Sequence, residues 1–199
     1  EEVPFIQTIF SPLAQAKYIA GSDRLIEHMR TAPDRLKTGL STLTESTLRF
    51  VDAMRRSGVA GIFYAIQHAS YAVMSETEYL EFGRPYDLQV LEALPPDWWF
   101  NMAHLHGRAP MLNAVKDYPL QALNWHDREG DPDLANGKVL FPGAVSGGIG
   151  RMDPMHTGTP VEVRSQARNA IEQTNARRFI LSTGCVIMTT TPQSNIRAA

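Results

Sequence analysis

Residues 33–65 read PDRLKTGLSTLTESTLRFVDAMRRSGVAGIFYA. Leu36, Leu40, Leu43, Thr47, Val51 and Met54 recur at steps of three and four, which places them on one face of a helix. The period breaks at Ser57-Gly58. Residues 59–65, VAGIFYA, then form a short apolar run suited to a strand buried on both faces. A helix that runs straight into a buried strand is the repeating step of a parallel α/β sheet.

The same alternation extends in both directions. Residues 4–9, 98–103, 120–124, 139–141 and 178–181 are further candidate strands. Ser75-Glu76-Thr77-Glu78 and Thr159-Pro160-Val161-Glu162 have the pattern of capping boxes, the second opening a helix to about residue 176. Thr191-Pro192 resembles another helix start. Six βα units fit an open doubly wound sheet or part of an eight-fold barrel. No G-x-G-x-x-G follows the first strand, and Gly147-Gly148-Ile149-Gly150 comes late with the wrong spacing, so a dinucleotide-binding fold is disfavoured. A complete (β/α)8 barrel needs about 250 residues.

The 199 residues fit one domain, without repeats or linker-like shifts. Hydrophobic residues at 43% and charged residues at 20% describe a globular chain. Lys+Arg 19 against Asp+Glu 21 gives a net charge of -2, which argues against a nucleic-acid partner. No apolar run approaches the ~18 residues of a membrane span. The first residues, EEVPF, have no signal-peptide pattern. The single Cys precludes an internal disulfide and fits a reducing, cytoplasmic setting.

In parallel α/β folds the site lies at the C-terminal ends of the strands. Four of the six His residues, His68, His104, His106 and His126, follow predicted strands. His104 and His106, at i and i+2, point to one face of an extended segment. With Cys185 from another strand end they offer two imidazoles and a thiolate, a zinc-type donor set with an open fourth position. Spacing leaves a second reading open, in which Cys185 is a small buried hydrophobe and the imidazoles pair with each other. His126 and Asp127 are candidate acid/base groups. Phe10, His68, Trp125, Arg151 and Asp153 are candidate substrate-binding residues by their position. Gly147, Gly148 and Gly150 could cradle an anion or simply turn the chain. Met102, Met111, Met152 and Met155 suit either a pocket or the core. Trp98 and Trp99 are expected to bury against helices on opposite faces of a strand.

Several of these stretches together resemble the uroporphyrinogen decarboxylase superfamily. Residues 4–21 look like one of its strand–turn–helix segments. His104-Leu105-His106-Gly107 resembles the H-x-C-G motif of its methyltransferase branch. Gly148-Ile149-Gly150-Arg151-Met152-Asp153-Pro154, with Gly158-Thr159-Pro160-Val161-Glu162-Val163, resembles "G-x-x-D-P … G-T-P-E-E-V". Gly184-Cys185 and Thr191-Pro192-Gln193-Ser194-Asn195-Ile196-Arg197-Ala198 are similar to "G-C … T-P-x-x-N-I-R-A".

The resemblance implies a TIM barrel of which residues 1–199 form about the last six βα units, a partial barrel in a single domain. It implies that the N-terminal strands lie outside this chain, and that the missing segment or a homodimer covers the open edges. In the methyltransferase branch, zinc held by H-x-C and a distant Cys serves methyl transfer between a corrinoid protein and a thiol. That implies His104, His106 and Cys185 as ligands, with His replacing the middle Cys. The decarboxylase branch removes carboxyls from a tetrapyrrole without a cofactor. Its "N-L-G-H-G" is Ser182-Thr183-Gly184-Cys185-Val186 here, and its "G-N-L-D-P" is Gly150-Arg151-Met152-Asp153-Pro154. Three functions follow as expectations: zinc-assisted methyl transfer, cofactor-independent decarboxylation, or non-catalytic binding of a tetrapyrrole or corrinoid.

Overall fold

A computed structural model describes residues 3–199. Glu1 and Glu2, part of the start read for a signal peptide, lie outside the described residues. The strands are β1 (Ile6–Phe10), β2 (Gly61–Ile66), β3 (Met102–Leu105), β4 (Ala122–Trp125), β5 (Ala144–Ile149) and β6 (Phe179–Thr183). The helices are α1 (Pro12–Ala20), α2 (Ser22–Thr31), α3 (Pro33–Met54), α4 (Glu76–Phe82), α5 (Arg84–Glu92), α6 (Leu112–Val115), α7 (Leu134–Leu140), α8 (Pro160–Thr174) and α9 (Gln193–Ile196).

All strand pairs are parallel, and the strands lie in chain order from β1 to β6. Chain-order parallel strands joined by helices form the wall of a β/α barrel. Six strands make a partial one, with β1 and β6 at its edges. No described helix is long and apolar enough to cross a membrane.

Local sequence accounts for most elements. On α3, Leu40, Thr47 and Val51 are buried, and Leu36, Leu43 and Met54 pack half-buried against the same core. Both capping boxes form: Ser75 and Glu78 start α4, and Thr159 and Glu162 start α8. Trp98 is buried, whereas Trp99 is exposed, because the chain there precedes β3 and has only one covered side.

The fifth strand differs from the sequence expectation. Val139 and Leu140 end α7, which the Asp133 side chain caps at the Asn136 amide. The strand is Ala144–Ile149 instead, with Gly147 and Gly148 inside it. A Cβ on Gly148 would sit 2.4 Å from the Ala170 Cβ on α8. Gly148, which looks like a loop residue, therefore lets a helix press onto the sheet, while Gly147 makes room for the Asp127 carboxylate.

The register sets one row across the sheet: Phe10, Ala65, His104, Asn124, Ser146 and Ile180. Residues of one row share a level of the barrel. This row carries the polar side chains described below.

Beneath the helices, Asp87 of α5 is fully enclosed. It accepts hydrogen bonds from Tyr64 (2.8 Å), Tyr79 (2.6 Å) and Tyr118 (3.1 Å). Burial outweighs these bonds and pushes its carboxyl up to about 6 from 3.8. An acid raised in the folded state favours folding fully below its unfolded value and loses that contribution as pH rises through the folded value. Stability is expected to fall by about 3 kcal/mol between pH ~4 and ~6 from this group alone. Urea midpoints across that range should show the slope, and Asp87→Asn should flatten it. An unchanged slope in the variant would assign the proton uptake elsewhere.

Candidate metal centre

Two strand ends supply the first donors. His104 lies in β3, and His106 follows its last residue with its amide still on the Ile66 carbonyl at 2.9 Å. Strand alternation therefore turns both imidazoles to one side. Cys185 stands two residues past β6, where the Thr183 hydroxyl donates to the Cys185 carbonyl at 2.6 Å. Gly184 lets this turn cross the end of β4, since a Cβ there would lie 2.7 Å from the Trp125 carbonyl oxygen.

β4 adds His126 one residue beyond its end. His104, His106, His126 and Cys185 each offer a donor atom, and all four atoms lie within 4.8 Å of one another. Cys185 Sγ is 3.8 Å from His106 Nδ1. The His106 and His126 rings meet edge-on with centroids 5.0 Å apart. His104 and His126 are buried, while His106 and Cys185 are half-buried and give the cluster an open side.

Two of the imidazoles are held from behind. His104 Nδ1 lies 2.6 Å from Asn124 Oδ1. His126 Nδ1 lies 3.1 Å from a Glu129 carboxylate oxygen, and the other Glu129 oxygen accepts from Arg151 Nε at 3.1 Å. His126 Nε2 is buried without a hydrogen bond of normal geometry among the described residues. Burial opposes ionisation of the Cys185 thiol, but the surrounding imidazoles of His104, His106 and His126 outweigh it and pull it down to about 3. Burial likewise opposes charge on His126, but Cys185 and Glu129 outweigh it and raise the ring's pKa.

These residues fit a transition-metal ion. A tetrahedral zinc site spaces its N and S donors about 3.3–3.8 Å apart, so small side-chain shifts bring the four atoms to a common centre. His126 Nε2 is left without a hydrogen bond of normal geometry among the described residues, and its rear nitrogen is held by a carboxylate, as is usual for imidazoles near metals. A cavity of about 290 Å3 adjoins the cluster, bounded by His104, Asn124, Ser146, Ser182 and Cys185.

The other candidates from the sequence fall in different places. Asp127 turns away from His126, and its carboxylate accepts the Gly148 amide at 3.0 and 3.2 Å. The anion cradled by the glycine-rich strand is thus the chain's own. Arg151 pairs with Glu129 rather than with Asp153, which is exposed. Trp125 faces outward from β4 into the core, fully buried, with its indole on the Pro132 carbonyl at 2.7 Å. Phe10 packs edge-on against Tyr18 and lines a separate cavity beside α3. His68 is buried past β2 with its Nδ1 unpaired, and burial, Lys17 and His106 lower it to about 4. Met111 and Met155 are core residues, Met152 is exposed, and Met102 lines the cavity beside His104.

Asn124 and Glu129 are the site residues that sequence reasoning missed. A signal for Asn124 existed, since it sits two residues before His126 on the same strand face. Glu129 carried no such signal, because the turn after β4 brings it back to the ring.

The model for the family described as uroporphyrinogen decarboxylase matches residues 1–199. The chain belongs to this family. It is 24% identical over 200 residues to the methylcobamide:CoM methyltransferase MtbA of Methanosarcina mazei, covering 99% of this chain and 57% of that protein. It is 22% identical over 203 residues to the methylated-thiol–coenzyme M methyltransferase of the same organism, covering 98% and 52%. It is 26% identical over 171 residues to a uroporphyrinogen decarboxylase of Prochlorococcus marinus, covering 83% and 46%. The solved structure of a methyltransferase from Methanosarcina mazei superposes on all of this chain and 57% of its own, with a TM-score of 0.87 at 20% identity. That likeness establishes the fold, a partial barrel of the family type. The chain spans about half the length of the curated relatives it matches.

Proposed function

We propose that the chain carries the metal-binding half of an enzyme that transfers a methyl group from a corrinoid to a thiol. The observation that carries this reading is the meeting of His104 and His106 from β3 with Cys185 from beyond β6, Sγ to Nδ1 at 3.8 Å. The names of the methyltransferase relatives support a corrinoid methyl donor and a thiol acceptor.

In this reading His104, His106 and Cys185 hold zinc, and the half-buried side of the cluster admits the thiol. Zinc, when bound, stabilises a ligating thiol as its thiolate. His126 Nε2 takes the thiol proton, because Nδ1 is committed to Glu129 and Nε2 faces the cluster near Cys185. Glu129, itself held by Arg151, stabilises the imidazolium that results. The thiolate sulfur bonds to the methyl carbon, and the cobalt–carbon bond breaks with its electron pair left on cobalt. Asp127, tied to Gly148, supports β4 and β5 rather than the proton transfer. A cytoplasmic, reducing setting preserves the free Cys185.

The test is loss of methylcobalamin absorbance on adding a thiol, using the full gene product loaded with zinc. Thiol-dependent demethylation supports the reading. Release of carbon dioxide from uroporphyrinogen without metal would replace it with the decarboxylase reading of the other relatives. His126→Ala is expected to slow transfer by about 100-fold while zinc content stays at one per chain. A matching loss of zinc would make His126 a ligand instead of a base.

A further inference from the structure

We propose that Asn124 is a positioning residue that fixes the tautomer of His104 and so presents its Nε2 lone pair to the metal. The inference rests on the metal-binding reading above.

The argument follows from donors and acceptors alone. An asparagine side chain has two N–H donors and one carbonyl acceptor. Asn124 Nδ2 lies 2.9 Å from the Ser146 carbonyl on β5 and 3.1 Å from the Thr183 carbonyl at the end of β6. Carbonyls only accept, so both contacts require the amide nitrogen on that side. The amide cannot flip without setting its oxygen against two other oxygens. Oδ1 is therefore directed at His104 Nδ1, 2.6 Å away. Because Oδ1 only accepts, Nδ1 carries the ring proton. The other nitrogen, Nε2, then bears the lone pair that a metal ligand needs.

Placement in the fold makes this orientation stiff. Asn124 is 4% exposed and sits in the same sheet row as His104 and Ser146. Its side chain joins β3, β5 and β6 around β4. It meets His104 at Nδ1, across the ring from Nε2, and also borders the cavity beside the cluster.

Two measurements test this. In metal-free protein, imidazole 15N shifts are expected to show His104 as the Nδ1–H tautomer, and Asn124→Ala as a mixture. A wild-type His104 carrying its proton on Nε2 would overturn the proposal, with or without metal. In folded protein, chelator competition is expected to show zinc affinity about 10–100-fold weaker for Asn124→Ala. In a His104→Ala background the same substitution should add no further loss. Undiminished affinity in Asn124→Ala, or additive losses in the double variant, would overturn the positioning role. Absence of zinc binding by the wild-type protein, with the Nδ1–H tautomer present, would remove the metal reading while leaving the tautomer lock in place.

Discussion

Cys185→Ala and His106→Ala are each expected to lose the zinc that the unaltered protein holds at about one ion per chain. Cys185 supplies the sole sulfur donor, since the chain has a single Cys. His106 Nδ1 lies 3.8 Å from its sulfur. Zinc at a protein site is worth about 10–16 kcal/mol, which over three protein ligands is at least about 3 kcal/mol each. Loss of one ligand thus weakens binding roughly a hundredfold, and loss of the only thiolate removes the softest donor. Elemental analysis after gel filtration reads the stoichiometry. Circular dichroism should show both variants folded, because neither side chain belongs to the core and both are half-buried. Wild-type protein without zinc, or full zinc in both variants, would sink the assignment of the cluster as a metal centre.

Gly148→Ala is expected to produce a large loss of stability from a single added methyl. Gly148 has φ +104, a conformation costly for any side chain, and its new Cβ would meet the Ala170 Cβ at 2.4 Å. Backbone strain and overpacking at about 1–3 kcal/mol each give a combined cost near 4 kcal/mol. That corresponds to a drop in Tm of roughly 8–16 °C for a domain of this size. Adding Ala170→Gly should recover the packing share but not the backbone share. A Gly148→Ala protein that melts with the wild type would mean that α8 yields freely and does not press on β5. The amide of Gly148 also holds Asp127, so the same variant should loosen the turn that carries His126.

The element pattern was legible because each signal was local. The α3 stripe, the two capping boxes and the apolar run before His68 depend on neighbours within a few residues. The fifth strand was not legible, because Ala144–Ile149 contains Gly147, pressed by the Asp127 carboxylate, and Gly148, pressed by Ala170 on a helix 22 residues further on. Trp125 shows the same limit. It lies beside His126 in sequence, yet strand alternation sends it to the opposite face, against Gly137 of α7.

By itself the sequence determined the alternation of helices and strands, a parallel sheet, and His104 and His106 on a shared face. Those follow from periodicity and from the i, i+2 rule of an extended chain. The tertiary structure alone decided that Cys185 reaches them across three strand intervals, that His126 joins them and that Asp127 does not. It also decided that Asn124 and Glu129 hold the rings. Distances between strand ends depend on sheet register and on turns such as the one at Gly184. Those are fixed by packing between residues far apart in the chain, which no local pattern records.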